Sequence, residues 1–441
     1  VLASQVPAQP LSHRRVLKIA LPVVLSNATV PILGAVDTGV VGQLGEAAPI
    51  GAVGIGAIIL STIYWIFGFL RMGTVGLTGQ AIGARNAAEV SALLSRVLMI
   101  AGAAGLMLIA LQGPIFRAAF LIAPASAEVE ALARDYMAIR IFSAPAAIAI
   151  YGLTGWMIAH ERTTGMLVLQ LGMNLLNILL SIFFVLGLGW GVQGVALGTF
   201  VSEWAGFALG LWLCRGAFRR PAWRDWPRVF DRARLIHMAM VNTDILIRSV
   251  ILMAGFTSFL FIGADFGDVP LAANQILMQF MYITAYAMDG FAFAAEALVG
   301  QAMGARAMGR LRRSALLTGV WGLMICIAMA VGFALLGGWM IDVMTTAPEV
   351  RAEARTYLPW MVAAPLVGCA AWMLDGIFIG ATRSRDMRNM MILSGLVYLV
   401  ALWALVPAFG NHGLWAALLV FFTARGVSLA ARYPALERAA G

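Results

Sequence analysis

The segment Gly79-Gln80-Ala81-Ile82-Gly83-Ala84-Arg85 returns as Gly300-Gln301-Ala302-Met303-Gly304-Ala305-Arg306, identical at six of seven positions and offset by 221 residues. Gly191-Val192 and Gly413-Leu414 keep that offset to within one residue. The 441-residue chain therefore reads as one unit written twice. Each heptapeptide follows a long apolar run and enters an arginine-bearing loop. What kind of unit is repeated depends on those apolar runs.

Hydrophobic residues make up 61% of the chain and charged residues only 12%. A soluble protein is about half apolar and about a quarter charged, so this composition excludes a soluble enzyme, a disordered chain and a coiled coil. Windows of roughly 20 apolar residues mark membrane helices, and twelve occur. In the first unit they lie near 16–38, 50–72, 92–112, 137–158, 166–187 and 192–214. In the second they lie near 238–262, 270–298, 315–336, 356–379, 390–408 and 413–430. The first window follows His13, Arg14, Arg15 and Lys18, as a secretory leader would. It is longer than a leader's apolar core and lacks a small-residue cleavage site, so it is expected to remain as a span.

The net charge of +9 is a topology signal. Of the 30 basic residues, only Arg117, Arg134, Arg351 and Arg355 fall in odd-numbered loops, while Arg71, Arg140 and Arg248 fall in or at the edge of spans. The others flank the even loops and the ends, so both termini are expected in the cytoplasm. Nucleic acid is not an expected partner. Six spans per repeat preserve orientation, which relates the halves by an axis along the membrane normal. The expected fold is an all-α membrane protein with twelve transmembrane helices in two pseudo-symmetric six-helix lobes. The lobes are 1–214 and 237–441, joined by an arginine-rich cytoplasmic linker, 215–236.

No cofactor or metal is expected. Lys18, the sole lysine, precedes Ile19, which rules out a phosphate-binding P-loop. Cys214, Cys326 and Cys369 are too scattered for a disulfide framework or a zinc knuckle. The four histidines lie near span ends or in loops, with no metalloprotease pair.

Polar residues inside a bilayer are costly and mark paired or functional sites. In span one, Asp37 follows Pro31 by six residues. Proline frees a carbonyl and bends a helix, so Asp37 either sits beside a deformable point or caps the outer end ahead of Gly39 and Gly42. Gln170, Asn174, Asn177 and Ser181 share one face of span five, where a functional site and plain interhelical hydrogen bonding compete as explanations. Span eight carries Gln275, Gln279, Tyr282, Tyr286, Asp289, Phe293 and Glu296 at alternating steps of four and three. Such a stripe is expected to face a cavity or the other lobe. Asp289 and Glu296 lie two turns apart, roughly 10 Å. Holding both as permanent charges in a low dielectric is expensive, so proton binding is expected there.

Asp244 and Arg248 in span seven have ion-pair spacing. Arginine keeps its charge, so Arg248 needs an acid, from Asp244 or from Asp289 or Glu296. Asp375 in span ten and Glu203 in span six are further acids whose partners the sequence does not give. Gln275, Gln279, Met281, Met288 and Phe293 are the candidate substrate contacts, a role that competes with core packing for the methionines.

Val36-Asp37-Thr38, the duplicated heptapeptide and Asn174-Leu175-Leu176-Asn177-Ile178 resemble the multidrug and toxic compound extrusion (MATE) family. Segments 284–292, 374–383 and 410–415 are similar to its DinF-type branch. The resemblance covers essentially the whole chain. It implies a V-shaped secondary antiporter of the bacterial inner membrane, expected as a monomer, that exports small amphipathic, often cationic compounds. It also implies an ion site in the first lobe drawing on Asp37, Asn177 and Thr199. The family's usual second carboxylate, four residues after the asparagine, is here Ser181. Losing that carboxylate favours proton over sodium coupling. A lipid or lipid-linked precursor flippase of the same fold is the alternative, with Arg248 as its thin support; an intramembrane enzyme is not expected.

Overall fold

The computed structural model describes residues 10–441, which are almost entirely helical, with no strand among them. One helix long and apolar enough to cross a membrane answers to each window. They are His13–Gly42, Ala47–Gly83, Ala87–Ala110, Ala127–Ala159, Thr163–Gly187 and Gly191–Leu213, then Arg232–Ala264, Asp268–Gly304, Met308–Met344, Pro348–Gly380, Ser384–Phe409 and Asn411–Arg438. The chain is an all-helical, multi-pass membrane protein. Several helices overrun their windows. Met308–Met344 has 37 residues, about 55 Å against a hydrocarbon core of about 30 Å. Hydropathy sees only the part of a helix that lies in lipid.

Span seven begins at Arg232, so residues 232–236 of the arginine-rich segment are helical. The rest of that segment folds into short turns, Arg215–Arg219 and Pro221–Arg224, and a single helical turn, Trp226–Val229. These turns are riveted to span three. The buried Arg96 donates from Nε to the Val229 carbonyl at 2.8 Å and from Nη2 to the Arg228 carbonyl at 2.6 Å. Its other nitrogen pairs with Glu89 at 2.5 Å, and Glu89 also meets Arg234.

Three spans are interrupted where proline or glycine breaks the backbone ladder. Span one is two helices, His13–Ala28 and Val30–Gly42, parted at Thr29. Pro31 has no N–H to give and its ring crowds the carbonyl of Asn27. Span two parts at Phe67-Gly68, and span four passes through the turn Ile141–Ser143 ahead of Pro145.

The described chain forms two compact units. One holds residues through Val24 together with Val250–Gly441; the other is Leu25–Ser249. Their boundaries fall inside spans one and seven. The Leu25–Ser249 unit packs its core around Leu60, Leu70, Met137 and Val195, and the other around Phe259, Phe280, Trp415 and Phe422.

The duplication is written into the backbone. Only four non-glycine residues among those described have positive φ: Arg85 (56°), Glu161 (58°), Arg306 (51°) and Thr382 (51°). They form two pairs at the 221-residue offset. Each ends a helix in the same way, its successor's N–H reaching back five residues, as from Asn86 to Ala81 and from Ala307 to Ala302. Helix contacts repeat too. A Cβ on Gly155 would come within 2.5 Å of the Arg71 carbonyl oxygen, and one on Gly376 within 2.7 Å of the Ala292 carbonyl oxygen. Residues this small let the fourth span of each half lie on the backbone of the second.

Candidate functional site

In the Leu25–Ser249 unit, the polar face of span five finds partners along its length. Gln170 donates to Asn174 at 3.0 Å, and Asn174 donates to Thr29 Oγ1 at 3.0 Å, at the break in span one. One turn further, four side chains join in series. Ser181 Oγ lies 3.3 Å from Asp37 Oδ1 and 3.0 Å from Asn177 Oδ1. Asn177 Nδ2 donates to Thr199 Oγ1 at 3.1 Å, and Thr199 donates to the Val195 carbonyl at 3.2 Å. Asn177, Ser181 and Thr199 are buried; Asp37 is partly exposed. Spans one, five and six thus bring together the four residues expected for the ion site.

A second network lies in the same unit, and its pairing could not be read from the sequence. Arg140 donates to Glu203 at 2.9 Å and to the Tyr136 hydroxyl at 3.0 Å. Ser143 also bonds Glu203, and the Tyr64 hydroxyl donates to the Arg140 carbonyl at 3.1 Å. Arg140 sits midway along the observed span four, which begins at Ala127. The turn Ile141–Ser143 places its guanidinium and the Ser143 hydroxyl on the same carboxylate.

In the other unit, Asp375 is bound to Arg425 of span twelve, and both are buried. The Arg425 guanidinium also lies over Phe421, 5.7 Å from the ring centroid. Arg425 had no individual signal, since it blends into the basic C-terminal stretch. Glu296 is 1% exposed. Along span eight the stripe grades in burial: Gln275, Gln279 and Tyr282 are exposed, Tyr286 and Asp289 half-buried, Phe293 and Glu296 buried. Met281 and Met288 are set apart from that stripe. Met281 belongs to the unit's core, and Met288 packs 3.3 Å from the Cys326 sulfur. Their flexible side chains fill gaps between helices, leaving Gln275, Gln279 and Phe293 from the substrate set on the polar face. Asp244 and Arg248 lie buried on one uninterrupted helix at the expected spacing.

Comparison with known proteins shows family and fold. The MatE family profile matches residues 22–183 and again 245–403, once in each half. DNA damage-inducible protein F of Escherichia coli is 38% identical over 433 residues, covering 95% of this chain and 92% of its own length. A probable multidrug resistance protein NorM of Synechococcus is 25% identical, covering 90% of this chain and 89% of its own. Among solved structures, the Vibrio cholerae MATE transporter VcmN in its bent form has a TM-score of 0.86 at 18% identity, with 97% of both chains covered. A MATE structure in the bent conformation reaches 0.88 at 17% identity, covering 97% of this chain and 96% of that one. At such identities the solved structures establish the shared fold.

Proposed function

The chain belongs to the MatE family of membrane transporters, and from that premise we propose that it is a proton-coupled antiporter exporting small amphipathic organic cations by alternating access. The arginine distribution supports an inner-membrane placement with both termini in the cytoplasm.

The observation that carries proton coupling is the count of hydrogens at Ser181. One hydroxyl proton stands between two acceptors, Asp37 Oδ1 and Asn177 Oδ1. An ionised Asp37 can only accept, so Ser181 serves one acceptor and leaves the other unmet. A protonated Asp37 donates to Ser181, Ser181 donates to Asn177, and Asn177 donates to Thr199. Every link is then made. An unmade buried hydrogen bond costs on the order of 1–3 kcal/mol, so the chain favours taking up one proton at Asp37. Loading that proton removes a charge from the outer helix of span one, about two turns from the break at Thr29, where the span has no continuous ladder to resist bending. Proton release on the cytoplasmic side returns the helix.

For the substrate, the stripe of span eight supplies a carboxylate, Asp289, between the phenols Tyr282 and Tyr286 and residues Phe293 and Glu296. Acid and aromatic faces together suit an organic cation. Sodium coupling is the competing reading, favoured by the oxygens of Ser181, Asn177 and Thr199 gathered near one carboxylate.

Proteoliposomes loaded with fluorescent cations, driven by an imposed proton or sodium gradient, distinguish these readings. Export on the proton gradient alone is expected, with loss of at least about a hundredfold (~2.7 kcal/mol) in Asp37→Asn, because an amide can neither take up nor release the coupling proton. Transport driven only by sodium would overturn proton coupling.

A further inference from the structure

A cavity of about 520 Å³ opens among the helix ends of the Leu25–Ser249 unit, where span two enters span three, span four enters span five, and the chain leaves span six. Three arginines, Arg85, Arg162 and Arg220, line it. None of the three pairs with a carboxylate among the described residues. Arg162 is held by a bond to the Leu213 carbonyl at 2.9 Å. Glu89, from the first turn of span three, is already taken by Arg96, Arg228 and Arg234. The cavity also receives the starts of spans three and five, whose first N–H groups favour an anion. One wall is rigid and aromatic: Trp156 and His160 lie 3.8 Å apart, and the indole N–H is fixed on the Val90 carbonyl. His160 Nδ1 is 2.8 Å from the Trp156 carbonyl, so Nδ1 carries the proton. Burial pushes the imidazole down to about 4, and it is neutral at physiological pH.

The second half has the same turns without these features. At the 221-residue offset, Arg162 corresponds to Arg383, which is neutralised by Asp386 at 2.7 Å. Gly165 stands where that acid would be, and Trp156 and His160 become Ile377 and Ala381. Gly165 in place of the acid that neutralises Arg383 is therefore a departure from the shared backbone, as is the aromatic wall.

We propose that this cavity is a binding site for a phosphate-bearing anion, supplied by the headgroup of an anionic phospholipid in the cytoplasmic leaflet. Its depth fits that source. Exposed Trp212, in the last turn of span six and stacked under Arg215 at 4.1 Å, and exposed Trp226 flank Arg220 in the chain, and tryptophan concentrates at the level of the headgroups. Basic pockets at the cytoplasmic ends of membrane helices recognise lipid phosphates. The site is distinct from the Asp37 chain and does not depend on how transport is coupled.

The test is binding to the full chain purified in detergent, read as thermal stabilisation during titration with dioctanoyl phosphatidylglycerol, dioctanoyl phosphatidylcholine or inorganic phosphate. Phosphatidylglycerol is expected to stabilise saturably and phosphatidylcholine not. R85Q, R162Q and R220Q should each weaken binding about fivefold and the triple variant on the order of a hundredfold. The triple arginine-to-lysine variant should retain most of it. R306Q with R313Q, arginines that do not line the cavity, should bind as the parent does. Saturable stabilisation by inorganic phosphate alone, lost in the triple variant, keeps the anion site and overturns the lipid as its source. Equal titration of the parent and the triple glutamine variant, or an equal loss in the R306Q/R313Q control, overturns the site.

Discussion

The same place in the two halves carries opposite chemistry. Asp37 and Asn177 of the first half fall on Ser258 and Tyr398 of the second at the 221-residue offset, and Thr199 falls on Phe421 at the offset of 222 that spans six and twelve share with Gly191 and Gly413. The first set is a hydrogen-bonded chain around a carboxylate. The second lines an apolar cavity of about 360 Å³, in which Ser258 and Tyr398 meet hydroxyl to hydroxyl at 3.2 Å and both bond the Gly255 carbonyl. One position inverts outright. Glu203 receives Arg140 in the first half, while its counterpart Arg425 receives Asp375 in the second. Helix ends and glycine contacts were kept through the duplication, whereas charges were rewritten. The repeat therefore fixes a frame and leaves chemistry free to diverge within it.

The buried pair of the second half gives the strongest way to break this comparison. Arg425→Ala leaves the Asp375 carboxylate buried without its cation and should cost about 3–5 kcal/mol, seen as a large drop in unfolding temperature. Replacing both residues by leucine should recover most of that loss; no recovery would mean that the pair is more than a compensated charge. Next comes the contrast in transport. Against the hundredfold loss in Asp37→Asn, Ser258→Ala should leave export within about twofold, the scale of one exchangeable hydroxyl bond. Comparable losses in both would make the two halves functional equivalents.

A smaller effect concerns the turns. Because the folded protein holds His160 at about 4 against 6.5 when unfolded, the unfolded chain takes up the proton first as pH falls. His160 should then leave stability unaffected above pH 6.5 and lower it progressively down to about pH 4, by about 3 kcal/mol in all. His160→Gln should lose that increment in unfolding measured at pH 7 and pH 4.5, and the second half, with Ala381 there, has none to lose. Smallest of all, Arg306→Gly and Arg85→Gly should each raise stability by about 0.5–1 kcal/mol, since glycine occupies a left-handed helix end without strain. Of the two, only Arg85→Gly should also weaken phosphatidylglycerol binding.

The twelve spans were legible because lipid demands a continuous apolar stretch; the polar face carrying Asn177 and Ser181 was legible from their spacing of one turn, but its grouping with Asp37 and Thr199 rested on the resemblance to a family. Pairings across long separations were not legible. Nothing near Arg140 in the chain points to Glu203, 63 residues away, nor anything near Asp375 to Arg425. The start of span four at Ala127 was hidden for a different reason. Its first turns are polar, with Arg134 paired to Glu130 one turn back at 2.8 Å, so the helix extends beyond the apolar window.

The rivet between Arg96 and the turns after span six also bears on how the chain is made. The carbonyls of Arg228 and Val229, which receive this guanidinium, are synthesised more than a hundred residues after it. Until they emerge, the first six helices hold a cation in their midst with only Glu89 to meet it. That unit therefore cannot lock at the end of its last helix and must wait for the segment beyond. The second copy carries Leu317 and Arg310 where the first has Arg96 and Glu89, and so needs no such delay. Synthesis from the N-terminus thus delivers these two carbonyls only after all six helices of the first half, immediately ahead of the seventh at Arg232.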